Sequence, residues 1–268
     1  ARRGSGATGN SNFGYFGAGY PDKSTVDRID YSNDTANASP KGPLSLARGY
    51  VGATGNSNFG YFGGGDTGSP KSTVDRIDYS NDTATALEKG PLSTTVGFGL
   101  AATGNANFGY FGGGYQPASR TVVSRIDYSN DTATASPKGI LSPSMSPAWG
   151  IAATSSRANA MPLKGPGILE VPVSLGAFSR NFGPQGTDFG YFGGGGPGSK
   201  STVDRVDYSN DTADASPKGP LSYGRDNLTA TGNANFGYFG AGPSPSAAKS
   251  TVDRIDYSND TADALEKG

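Results

Sequence analysis

The chain has 268 residues, no Cys, no His and a formal net charge of −1. Those counts exclude disulfides, thiolate or Ser-His nucleophiles, zinc sites of the usual ligand types and haem held by His or Cys. The near-neutral charge gives no electrostatic footprint for nucleic acid, and no apolar run approaches the roughly 18 residues of a membrane span.

Gly (43) and Pro (18) together approach a disordered composition, but 14 Tyr and 13 Phe recur at fixed positions and oppose that reading. The recurrence is an internal repeat. Gly-Tyr-Phe-Gly returns with its tyrosine at Tyr15, Tyr61, Tyr110, Tyr191 and Tyr238. A segment close to Ser-Thr-Val-Asp-Arg-Ile-Asp-Tyr-Ser-Asn-Asp-Thr follows each time. Most steps are 46 to 49 residues, and the step from Tyr110 to Tyr191 is 81.

Each unit predicts four short strands. Small residues such as Leu100-Ala101-Ala102-Thr103 form the first, closed at Gly104-Asn105, a pair suited to positive φ. Phe108-Gly109-Tyr110-Phe111 is the second. Thr73 to Tyr79, β-branched and aromatic, is the third, and Ser80-Asn81-Asp82 turns the chain into a fourth over Thr83 to Leu87. One such meander leaves both faces unburied, and stacking units around an axis covers them, with the small first strand innermost.

The ordered set resembles the kelch repeat. Tyr110-Phe111-Gly112-Gly113 looks like its double-glycine strand, Ile77-Asp78 like its aromatic-Asp step and Thr83 like its Thr, with Ala84 where the family has Trp. Arg48 and Arg225 match the family's link arginine, and Arg2 shares their register. The resemblance implies an all-β, kelch-like β-propeller. The near-identity of the units also resembles repeat arrays of marine bacteriophage and other viral proteins, which implies a virion or tail appendage.

The long step holds about 34 extra residues, including Trp149, Met161, Pro162 and Ile168 to Val171. Trp149 to Thr154 reads as another first strand. The expectation is six four-stranded blades in a single domain: 1–45, 46–93, 94–142, a degenerate fourth at 143–176, 177–222 and 223–268. Five blades plus an insertion is the alternative. The ends lie nearly in phase, so a ring closed by packing of the first and last blades is expected.

Asp78, Asn81 and Asp82 have too short a spacing for an EF-hand and fit an Asx turn. No metal or cofactor site is expected. Arg28, Arg76, Arg125, Arg205 and Arg254 form a structural ring, with Asp30, Asp78, Asp127, Asp207 and Asp256 in matching positions. Strand alternation puts Arg76 on the same side as Val74 and Asp78, which suggests a partly buried arginine paired with Asp, across blades in one reading. The repeated Tyr and Phe read as blade-to-blade core, against sugar stacking.

The link between second and third strands varies while its surroundings do not. It carries the binding candidates Tyr20, Asp22, Asp66, Thr67, Tyr115, Gln116 and Ser244, with relaxed constraint as the other explanation. The acids occur as symmetric copies, so nothing marks the unique pair a glycosidase needs. The expected function is non-catalytic: a structural or interaction propeller, extracellular or on a virion surface. Its partners are other proteins of an assembly, with no nucleic acid and no membrane insertion. A lectin or adhesin recognising surface glycans is the alternative, and a glycoside hydrolase the least favoured reading.

Overall fold

A computed structural model of the chain describes residues 2–115, 121–145, 150–155, 189–242 and 250–268. Its strands form five four-stranded antiparallel sheets, each paired in chain order. The first blade comprises β1 (Gly6–Gly9), β2 (Phe13–Gly17), β3 (Val26–Asp30) and β4 (Ser39–Lys41). The second comprises β5 (Gly52–Gly55), β6 (Phe59–Gly63), β7 (Val74–Asp78) and β8 (Leu87–Lys89). The third comprises β9 (Phe98–Gly104), β10 (Phe108–Tyr115), β11 (Val123–Asp127) and β12 (Ser136–Lys138). The fourth comprises β13 (Ala152–Ser155), β14 (Phe189–Gly193), β15 (Val203–Asp207) and β16 (Ser216–Lys218). The fifth comprises β17 (Thr229–Gly232), β18 (Phe236–Gly240), β19 (Val252–Asp256) and β20 (Leu265–Glu266). The fold is a β-propeller.

Local chemistry sets each hairpin. The Asn10 side chain accepts from the backbone N–H groups of Asn12 and Phe13, and Asn56, Asn105 and Asn233 do the same in later blades. This side-chain cap fixes the first turn. At the third turn Asp78 accepts from both the N–H and the hydroxyl of Ser80 and starts a single 3-10 turn. That turn continues further than the sequence predicts. Thr83 and Ala84 belong to it, with the Ala84 N–H on the Asn81 carbonyl, the Ala86 N–H bonds the Pro43 carbonyl, and the fourth strand shrinks to Leu87–Lys89. The cause lies in the preceding blade: the Gly42 N–H donates to the Asp82 carbonyl, which holds the turn against its neighbour.

The sequence reading of six blades is corrected to five. Ala152 to Ser155 pair with Gly190 to Gly193, so they supply the innermost strand of the blade built on Phe189 to Lys218. A four-stranded unit needs its own Phe-Gly-Tyr-Phe partner strand, and only one copy follows Ala152 before the next blade. Most of the extra residues, with Met161, Pro162 and Ile168 to Val171, lie outside the described residues.

Packing between blades follows from strand alternation. One face of each blade carries the Tyr15-type tyrosine, the Arg28-type arginine and the Thr8-type threonine, and the other carries Phe62-, Ile77- and Tyr79-type residues. Each of four core clusters joins the first kind of face to the second kind on the following blade. Tyr15 stacks on Tyr79 at 4.8 Å between centroids, and Tyr61–Tyr128, Tyr110–Tyr208 and Tyr191–Tyr257 repeat the stack. Glycine at Gly17 is required by close approach, because a Cβ there would stand 2.6 Å from the Phe62 ring. Ala7, Ala53, Ala102, Ala153 and Ala230 line the axis.

No hydrogen bond, ion pair or ring stack joins the fifth blade to the first among the described residues. Among the described residues, the contacts repeated at the four inter-blade interfaces therefore do not recur between the first and last blades.

Candidate functional site

The arginine ring lies on the face that each blade turns toward the next. Arg28 lies 2.7 Å from Asp82, Arg76 2.8 Å from Asp131, Arg125 2.7 Å from Asp211 and Arg205 2.7 Å from Asp260. The partner is the aspartate four residues beyond the Asp78-type position, on the next blade. Asp30, Asp78, Asp127, Asp207 and Asp256 instead cap their own turns, each taking a serine hydroxyl. Each inter-blade carboxylate is a three-way hub. Asp82 also accepts from the Tyr15 hydroxyl at 2.8 Å and lies 3.4 Å from the Lys41 ammonium. Tyr61 with Lys89, Tyr110 with Lys138 and Tyr191 with Lys218 complete the other three.

Burial pushes the Asp82 carboxyl up, but hydrogen bonds from Tyr15 and Arg28 and the nearby cations outweigh it and hold it below its ordinary value. Asp211 behaves alike. Burial, reinforced by the neighbouring carboxylate, drives the Tyr15 phenol far up, so it stays a donor. Each ring arginine also covers a phenylalanine, Arg28 over Phe13 at 4.1 Å and Arg205 over Phe189 at 3.9 Å.

A second arginine series plugs the first, second and fifth blades from the preceding link. Arg48 is fully buried and donates to Asp75 at 2.6 Å and to the carbonyls of Gly64, Leu46 and Phe62. Arg225 pairs with Asp253, and Arg2 with Asp27 at 2.8 Å. The third blade replaces both partners at once: Val96 stands for the arginine and Ser124 for the aspartate, with Ser124 bonded to Ser93 at 2.6 Å. The fourth replaces only the arginine, with Met145. Asp204 is left buried on the N–H and hydroxyl of Ser142, and burial pushes its carboxyl up despite those bonds and the charge of Lys200.

The links that enter the first strand of each blade meet at one end of the axis. A cavity of about 620 Å³ opens there, lined by all five blades, with Arg3, Tyr50, Leu100, Ile151 and Asn227 among its walls. Five equivalent link residues adopt left-handed backbone: Gly4, Tyr50, Gly99, Gly150 and Asn227, with φ of 65, 60, 68, 65 and 50°. Gly and Asn tolerate that conformation, whereas an aromatic side chain there is strained. Tyr50 is thus the exception. Its ring lies 6.0 Å from Tyr20 and 4.7 Å edge-on from Phe98, and the Arg3 guanidinium sits 5.0 Å from the Tyr20 ring.

Of the sequence candidates, Tyr20, Asp22 and Tyr115 are exposed, and Tyr115 pairs with Phe98 across β9 and β10. Asp66 is turned inward, accepting from the Gly68 N–H, and Thr67 is half-buried beside it. Gln116 and Ser244 lie outside the described residues. Sequence reasoning missed Arg3, Tyr50, Phe98 and Asn227. An alignment of the links shows the signal for Tyr50, a lone aromatic in a column of Gly and Asn. No group of three or more metal-ligating side chains occurs among the described residues, and no helix among them is long and apolar enough to cross a membrane.

No protein-family model matches the chain, and no curated protein matches its sequence.

Proposed function

We propose that the chain is a non-catalytic, kelch-type interaction propeller of an extracellular or virion-surface assembly, receiving a protein partner at the mouth of its axial cavity. The supporting observation is Tyr50, held in strained backbone over the cavity where four other blades have Gly or Asn. Local strain of this kind collects at binding sites. The acids support the non-catalytic reading, because those of the hubs and turns are already engaged in repeated structural contacts. Exposed Tyr20 and Tyr115 and the Arg3 cation favour a second reading, recognition of surface glycans by stacking.

The test compares the wild-type chain with Tyr50→Gly. Imaging of native source material is expected to place a propeller of this size on a particle or surface assembly. Tyr50→Gly is expected to weaken capture of that assembly at least tenfold while melting no lower. A glycan array with millimolar-range hits that vanish in the variant selects the second reading. Substrate turnover abolished by one carboxylate change, or a chain free in cytosol, sinks both.

A further inference from the structure

The four inter-blade contacts are copies of one another, and each half of that contact is left over once. The fifth blade presents the donor half. Tyr238 and Arg254 occupy the positions of Tyr15 and Arg28, yet among the described residues neither meets a carboxylate, although Arg254 keeps its 4.3 Å stack on Phe236. The first blade presents the acceptor half. Asp34 occupies the hub position of Asp82 and is exposed and unpaired. Tyr31 is 53% exposed where Tyr79 is 9%, and Phe16 is 38% exposed where Phe62 is fully buried.

The backbone repeats the pattern. A Cβ at Gly42, Gly90, Gly139 or Gly219 would stand within 2 Å of a carbonyl oxygen of the next blade, whereas nothing lies within 4 Å of one at Gly268. Gly17, Gly63, Gly112 and Gly193 each abut the phenylalanine of the following blade, and Gly240 abuts only its own Val252.

We propose that this seam binds one further blade of the same repeat, supplied from outside the five described, with both of its faces engaged. The occupant is specified by chemistry. Against Gly240, Tyr238 and Arg254 it must present a phenylalanine, a Tyr79-type tyrosine and a hub carboxylate. Against Phe16, Tyr31 and Asp34 it must present a glycine, a threonine and a Tyr-Arg-Lys set. Only a unit of this repeat carries both sets. The ion pairs of 2.7–2.8 Å and tyrosine stacks of 4.4–4.9 Å are uniform across the four interfaces, and a further unit would complete the same contact on both sides of the seam.

The experiment appends a copy of Pro43–Gly90 directly after Gly268, which continues the repeat in phase, and compares it with the unextended chain. Nitration of Tyr31 and the thermal midpoint are the readouts. The extended chain is expected to melt higher as one transition and to nitrate Tyr31 at least tenfold more slowly. A control extension carrying Y61A and D82A in the appended copy is expected to lose both effects. An extension that melts separately and leaves Tyr31 reactive overturns the proposal. So does an unextended chain in which D34C and K267C cross-link within one molecule at low concentration, since the ring then closes on itself. Concentration-dependent self-association that protects Tyr31 overturns it in favour of a second copy.

Discussion

Replacing Arg48 by valine removes every partner that neutralises Asp75 in a site where both side chains are fully buried. Asp75 keeps only the Ser45 N–H at 3.2 Å, and the carbonyls of Gly64 and Phe62 lose their donors. Breaking a buried pair from one side costs about 3–5 kcal/mol. The fourth blade places R48V near the lower end, about 3 kcal/mol, because a serine hydroxyl can turn to the carboxylate as Ser142 does to Asp204. D75S alone strands a buried guanidinium and falls in the same range. The double variant R48V/D75S reproduces the Val96/Ser124 pair of the third blade, so its cost is expected within about 1 kcal/mol of wild type. The coupling is therefore of order 3 kcal/mol or more, well outside the additive range. Urea unfolding of the four proteins, fitted with a common slope, measures it. A double variant as unstable as the sum of the singles would refute the reasoning.

D82N removes the charge that Arg28, Lys41 and Tyr15 share, at an expected cost of about 1–3 kcal/mol at pH 7. The folded carboxyl is depressed, so its contribution is complete above the ordinary value of 3.8 and is lost as pH falls through the lowered folded value. The gap between wild type and D82N should close on acidification in a melting series. Asp204 has the opposite sign: its folded carboxyl is raised, so ionisation costs stability as pH rises from 3.8 through the raised value. D204S is expected to gain at most about 1 kcal/mol at pH 7 and nothing in acid, read from the same series. G42A drives a methyl group to 1.8 Å from the Ala84 carbonyl oxygen and should cost at least about 1–3 kcal/mol. Circular dichroism melts that match wild type would contradict that contact.

The repeating strands were legible because Phe-Gly-Tyr-Phe and Val-Asp-Arg-Ile-Asp alternate with period two and end at Asx turns. The blade number was misread because Trp149 to Thr154 does resemble an inner strand. Its true partner at Phe189 lies beyond a long intervening stretch, and pairing across such a gap leaves no local trace. The hubs were half legible. The alternation turned Arg76 to a packed face, but Asp78 and Asp82 look alike as residue types. Only the serine two positions after Asp78 separates a turn cap from a cross-blade acceptor. Lys41 and its counterparts carried no signal of their own, since a lysine before Gly-Pro reads as an exposed loop residue. The variable second-to-third-strand links point only to the neighbourhood of the mouth, where Tyr20 lies 6.0 Å from Tyr50. Tyr50 matters through its backbone conformation, which composition does not display.

The identical interfaces also bear on how such a chain changes length over generations. When every neighbour contact uses the same tyrosine stack and the same carboxylate hub, removing or duplicating a whole unit destroys no specific recognition and requires none to be invented. Near-identical tandem DNA recombines readily by units. This architecture therefore tolerates the slippage its own coding sequence invites, and curvature alone limits how many blades accumulate.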